Sequence, residues 1–134
     1  MFKALGFAAA TALFATGAYA QAAAPNEAQI AHIAYTAGNI DIAAGKQALA
    51  KSQNKAVRDF AQEMARDHAA VNDKALALVK ELKVTPQDNA TSKALSAQAA
   101  KELKLLAALK GPAFDKAYVA NEVAYHQTVN SALS

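Results

Sequence analysis

Apolar residues recur along this chain in steps of three and four, and four stretches carry that rhythm. Between about Lys55 and Lys83, one row holds Val57, Phe60, Met64, His68, Val71, Ala75, Leu78 and Leu82, the spacing of an inward-packing helix face. Between residues 112 and 133, Phe114, Tyr118, Glu122, Tyr125, Val129 and Ala132 keep the same period, with Val119, Val123 and His126 beside them. From Glu27 to Lys51 two rows run side by side. Ile30, Ile33, Ala37, Ile40 and Ala44 form an apolar stripe, and Ala34, Gly38, Asp41, Gly45 and Ala48 a stripe of small residues. A glycine inside a helix costs about 1 kcal/mol relative to alanine. Two of them seven apart on one face point to a second helix lying close against it.

The breaks between these stretches are brief. Ser52-Gln53-Asn54 separates the first two helices and offers Asn54 or Ser52 as the next cap. Thr85-Pro86-Gln87-Asp88 predicts a third helix starting at Pro86, with a threonine cap, proline in the first position and an acid two residues on. That helix extends to Lys110, frayed through Asn89–Ser92. Gly111-Pro112 ends it and opens the fourth. The expected helices are therefore 27–51, 55–83, 86–110 and 112–133, with no strand. Connections this short make successive helices run antiparallel, so the expected fold is all-α, an up-and-down antiparallel helical bundle.

Composition changes the weight of this picture. Of 134 residues 54% are hydrophobic, but 38 are alanine and three of the five phenylalanines precede residue 15. Residues 1–20 have the form of an export signal: Lys3 alone in a short basic region, an uncharged run from Ala4 to Thr16, then Ala18-Tyr19-Ala20 as a small-x-small cleavage site. A run that short falls below the roughly 20 apolar residues a membrane-spanning helix needs. The expected mature chain thus begins at Gln21, after cleavage behind Ala20. Residues 21–26 form a linker, and 27–134 a single domain in the periplasm or outside the cell. Such a domain buries roughly 65% of its unfolded surface, and its core is lean. Without Lys3 the chain carries 13 basic and 11 acidic residues, interspersed, which gives nucleic acid no basic patch to hold. The absence of cysteine excludes disulfides, thiolate metal sites and cysteine nucleophiles.

The chemistry that remains lies in polar residues on apolar rows. Asp41 sits between Gly38 and Gly45, so its carboxylate faces another helix and needs a partner. His68 lies on the second helix's row, beside Asp67 and near Glu63, with Asp59, Glu63 and Asp67 four apart and Arg58 and Arg66 among them. Glu122 and His126 are four apart on the fourth helix, separated by about 40° around its axis, and can reach one point. Carboxylates and imidazoles from three helices suit iron, manganese or zinc. The spacing is imperfect, since Glu63 and His68 stand about 140° apart on their helix and cannot converge. The plainer reading is that His68 and His126 are core histidines hydrogen-bonded to Asp41, Glu122 or a tyrosine, which fix the register of the helices. His32 has no acidic neighbour at helical spacing and is expected at the rim.

The run Ala37-Gly38-Asn39-Ile40-Asp41, the stretch from Asn54 to His68 (NKAVRDFAQEMARDH) and Phe114-Asp115-Lys116-Ala117-Tyr118 followed by His126 resemble the exported "domain of unknown function 4142" family. The resemblance covers nearly all of residues 27–134. It implies a ferritin-like bundle at the outer membrane or in the periplasm, with Asp41, Asp67, His68, Asp115, Tyr118 and His126 at the family's characteristic positions. It implies no particular activity, substrate or metal. The family continues with a further long helix bearing a Leu-Pro and a late histidine, whereas this sequence ends at Ser134. The resemblance therefore implies a bundle lacking its last helix and an exposed apolar groove: either the chain is a truncated product or fragment, or a second copy in a homo-oligomer supplies the missing wall.

Three functional expectations follow. The first is a non-enzymatic exported bundle, structural or stress-related. The second is a metal-binding or metal-dependent redox protein, with ligands drawn from Asp41, Glu63, Asp67, His68, Glu122 and His126 and iron, manganese or zinc as the ion. The third is a helical periplasmic chaperone or lipid-surface binder. There is no glycine-rich phosphate loop, nucleophile elbow or His-Glu-x-x-His to indicate hydrolase or transferase chemistry.

Overall fold

In a computed structural model, which describes residues 24–133, four helices account for most of the described residues: α1 (Glu27–Lys51), α2 (Lys55–Glu81), α3 (Ala90–Ala108) and α4 (Gly111–Leu133). No strand occurs among the described residues. The expected export signal and residues 21–23 of the expected linker lie outside them. The all-α bundle expected from periodicity is the observed fold. None of the described helices is long and apolar enough to cross a membrane.

The helix ends follow local chemistry. Asn26 caps α1 in a reciprocal box with Gln29, its side chain accepting from the Gln29 backbone N–H at 2.9 Å and its own N–H donating to Gln29 Oε1 at 3.0 Å. Asn54 caps α2 by accepting from the Ala56 N–H. The carbonyls at the end of α1 are met from the next helix, where the Arg58 guanidinium donates to the oxygens of Leu49 and Ser52.

Four boundaries differ from expectation: α3 ends at Ala108 and not at Lys110, α4 starts at Gly111 and not at residue 112, and the end of α2 and the start of α3 shift for identifiable reasons. Helix α2 stops at Glu81, because Lys83 takes the left-handed conformation (φ 56°), the Lys83 N–H donates to Lys80 O and the Val84 N–H donates to Val79 O. This is the hydrogen-bond pattern of a Schellman stop, with lysine in the place usually held by glycine. Helix α3 starts at Ala90 and not at residue 86, because Asn89 outcompetes Thr85 as the cap. Asn89 and Ser92 form a second reciprocal box. The preceding loop is pinned to α1 instead, with the Gln87 N–H donating to Ala28 O and Asn89 Nδ2 to Gln29 O.

Helix α1 is the hub and packs against each of the other three, most extensively against α2. Gly38 lies beside Asn72, Gly45 beside Ala61 and Ala65, and Leu49 beside Arg58, so α1 and α2 are antiparallel. Gln47 Nε2 reaches Leu103 O at 2.8 Å and Lys51 Nζ reaches Ala107 O at 2.7 Å, so α3 runs parallel to α1. Tyr125 donates to Ala37 O at 3.1 Å while Lys51 covers the Phe114 ring, which makes α4 antiparallel to α1. The result is up, down, up, down.

The close approach read from Gly38 and Gly45 is real. A Cβ on Gly45 would lie 2.7 Å from the Ala61 carbonyl oxygen, and one on Gly38 would collide with the Asn72 side chain. That approach also corrects the expected seam of α2. It turns Ala61, Ala65 and Asn72 toward α1, which leaves Val71, Leu78 and Leu82 more than half exposed. The second half of the apolar row of α2 thus faces away from its nearest neighbour, while Val57 at its start is buried and Phe60 packs beside it.

The core has two parts. One holds Ala44, Ala48, Val57, Ala61, Leu106, Phe114 and Tyr118, and the other Ile33, Ala37, Leu95 and Tyr125. On α1 the position between Ala37 and Ala44 is Asp41, and on α4 the position between Tyr118 and Tyr125 is Glu122. Both are 3% exposed. A polar layer therefore separates the two apolar clusters.

Candidate metal centre

Asp41 reaches that layer because α1 carries small residues on either side of it. With Gly38 and Gly45 admitting α2, the His68 imidazole comes within 3.1 Å of Asp41, measured from Nε2 to Oδ2. Helix α4 brings His126 to the same oxygen, with its Nε2 4.0 Å away. One donor atom from each of Asp41, His68 and His126 lies within 4.8 Å of the others. The two imidazoles stand 5.8 Å apart at 64°, edge toward face.

The opposite edge of each ring is held by its own helix. His68 Nδ1 lies 2.9 Å from Met64 O, and His126 Nδ1 lies 2.8 Å from Glu122 O. A carbonyl oxygen can only accept, so both Nδ1 atoms carry a proton. In a neutral imidazole that leaves Nε2 as a lone pair. Both lone pairs point at a carboxylate oxygen, which also offers only lone pairs. Three acceptors converge with no donor between them, so a cation belongs there, either a proton or a metal ion.

Burial sharpens the demand. Asp41 Oδ1 and both oxygens of Glu122 are buried without a hydrogen-bond partner. Burial raises the Asp41 carboxyl above the usual range, and the two histidines work against that rise. Burial also pushes Glu122 up to about 8, with the neighbouring Asp41 carboxylate adding to the effect. Tyr118 and Tyr125 flank the layer, and burial raises both phenols, with Asp41 and Glu122 contributing. Tyr125 satisfies its hydroxyl on Ala37 O, whereas the Tyr118 hydroxyl is buried and unpartnered.

Of the six candidate ligands, Asp41, His68 and His126 meet at one point, and Glu122 lines the same layer with Oε2 4.0 Å from His126 Nδ1. Glu63 and Asp67 are placed elsewhere. Glu63 is exposed, and Asp67 pairs with Arg66 at 2.7 Å on the outer face of α2. Asp59, the third acid of that row, pairs with Lys55. The cations among those acids are side chains, and the rotation of α2 that presents His68 carries its acidic row outward. Asp115 lies near the start of α4, two turns before Glu122, with Oδ1 buried and unpartnered. His32 is half-buried on α1, with Nδ1 3.4 Å from the Thr36 hydroxyl. Asn72, which fills the space over Gly38 and donates to Asn39 Oδ1 at 3.1 Å, was not singled out by sequence. The glycine opposite was its only trace.

The donor set fits a metal ion. Zinc sits about 2.1 Å from oxygen and nitrogen ligands, which places those ligands a little over 3 Å from one another. His68 and Asp41 already stand at that separation, and His126 lies farther out, 4.0 Å from Asp41 and within 4.8 Å of the His68 donor. The backbone carbonyls behind both rings supply the outer-shell bonds that fix ligating histidines. Two imidazoles and one carboxylate suit zinc, or iron(II) with open positions.

Comparison with known proteins gives a match over residues 13–134 to the family model described as Domain of unknown function (DUF4142). No curated protein and no solved structure matches the chain.

Proposed function

Starting from a chain that belongs to the DUF4142 family, we propose that it is a metal-binding helical bundle, with Asp41, His68 and His126 holding a divalent iron, manganese or zinc ion and Glu122 beside them. The observation that carries this reading is the convergence of two imidazole Nε2 atoms on Asp41 Oδ2 while backbone carbonyls hold both Nδ1 protons. A purely register-fixing histidine needs one hydrogen bond to a carboxylate. This site aims two histidines at one oxygen and sets a second buried carboxyl, Glu122, in the same layer, a donor set that can hold an ion as well as protons. The ion would supply Lewis acidity and, if iron or manganese, redox chemistry. The protein's part is to orient the ligands and to keep the layer largely dry.

The form of residues 1–20 supports export, so we place the protein in the periplasm or outside the cell. The test is elemental analysis of protein isolated from that compartment without chelator. About one equivalent of iron, manganese or zinc is expected, and less than about a tenth would overturn the reading. Mass spectrometry of the same sample should show a chain beginning at Gln21.

A further inference from the structure

In the second half of α2 the apolar row comes to the surface. Val71, Leu78 and Leu82 are 60%, 53% and 61% exposed, and Ala75 between them is half-buried. Leu82 caps the helix at near-helical dihedral angles, so all four stand on one rod. At about 100° per residue they fall within a stripe about 60° wide that rises over about 17 Å. Their steps are four, three and four, the spacing of a coiled-coil seam. The two edges of the stripe differ. Lys74 and Glu81, both exposed, border one edge and stand seven residues apart. The other edge holds Asn72, which is turned to α1 over Gly38.

We propose that this stripe is a self-association surface, on which a second copy of the chain lays its own α2 antiparallel. A two-fold axis between Ala75 and Leu78 sets Val71 against the partner's Leu82, and Ala75 against the partner's Leu78. The inner layers then match a large side chain with a small one. In such a pair the bordering edges of the same kind meet, so Lys74 lies beside the partner's Glu81, twice per dimer. A parallel pair would set Ala75 against the partner's Ala75 and Leu78 against the partner's Leu78. It would also carry Lys74 across to the partner's Val79 and lose both ion pairs. The stripe is therefore complementary to itself in size and in charge, and in one direction only. The seam is three turns long, which places the dimer in the weak, reversible class, with a dissociation constant between about 1 and 100 µM.

The test is sedimentation of the isolated native protein from about 1 to 300 µM, once in chelator and once with zinc. A monomer–dimer equilibrium is expected under both conditions. Leu78→Glu should weaken it at least about a hundredfold, because each dimer would set that charge against apolar groups twice. The melting temperature of the monomer should stay within about 2 °C, since the side chain is exposed. Lys74→Glu and Glu81→Lys should each weaken the dimer about threefold to tenfold, and the two together should restore the native affinity. A protein that stays monomeric throughout overturns the proposal, as does a dimer indifferent to Leu78→Glu or one that requires zinc. Charge variants that the double exchange fails to rescue would overturn the antiparallel pairing. Neutral phospholipid vesicles cover the other apolar occupant. Flotation of a monomeric protein, lost in Leu78→Glu, would assign the stripe to a lipid surface and overturn the pairing. Dimerisation in chelator stands whether or not the protein takes up metal, so the two readings fail separately.

Discussion

Helix α2 carries acids and a histidine within three turns, and the two kinds of residue meet opposite fates. On its outer face Asp59 pairs with Lys55 and Asp67 with Arg66, all four in contact with water. On its inner face His68 meets Asp41 in a layer where no lysine or arginine reaches. Arg66, through its hydrogen bond to Asp67, holds that carboxyl below its usual range, while burial moves Asp41 and Glu122 the opposite way. The same chemical groups are solvated and individually dispensable on one face, and dependent on a cation on the other. What separates them is the rotation of one helix.

The sharpest way to break the contrast is to remove a ligand. Asp41→Ala should weaken zinc or cobalt binding by at least about a hundredfold in a competition titration, while Asp67→Ala and Glu63→Ala stay within about twofold. Equal losses from all three would place the ion on the outer row and refute the site.

A second contrast concerns pH. In the metal-free protein Glu122 keeps its proton to about 8, whereas the unfolded chain releases it near the ordinary carboxylate value, and Asp41 is displaced in the same direction. Between those values the unfolded state binds fewer protons than the folded state, so stability falls as pH rises. In chelator, urea unfolding should show a loss of a few kcal/mol between about pH 5 and pH 8. Glu122→Gln should remove most of that slope, and added metal should oppose it. A flat profile for the metal-free native chain would mean that the layer is wetter than its burial implies.

Next in size is the contact that brings the two helices together. Gly45→Ala gains about 1 kcal/mol of helix propensity but places a methyl group against the Ala61 carbonyl. The expected net result is a destabilisation of about 1–2 kcal/mol, as is usual for overpacking, together with weaker metal binding as His68 is displaced from Asp41. Improved stability would show that α2 can move aside freely. The smallest effect belongs to the outer face, where Arg66→Ala should leave the melting temperature within about 1 °C of the parent.

These contrasts also show what a sequence displays and what it conceals. The helices, the small-residue stripe and the burial of Asp41 were legible because each follows from spacing within one helix. Glu122 and His126 were legible as a pair for the same reason. The choice among Glu63, Asp67 and His68 was not. Neighbouring residues differ by about 100° around a helix, and the orientation of α2 was set by Gly38 and Gly45 on another element. The apolar row of α2 marked the inner face from Val57 to His68 but not at Val71, Leu78 and Leu82, since it marks what avoids water but not which neighbour comes closest. At the start of α3 two cap signals competed, and the loop's bonds to Ala28 and Gln29 decided for Asn89.

The hub arrangement of α1 has a mechanical consequence. Asp41 and His68 belong to the tightly packed α1–α2 hairpin, while His126 belongs to α4, which α1 and α3 hold less extensively. A bound ion would act as a rivet between two foldons of unequal strength. Amide exchange through opening of α3–α4 should slow in proportion to metal concentration above its dissociation constant, while exchange within the α1–α2 hairpin should respond far less. The exchange rate of one helix pair would then report the occupancy of a site that it only partly owns.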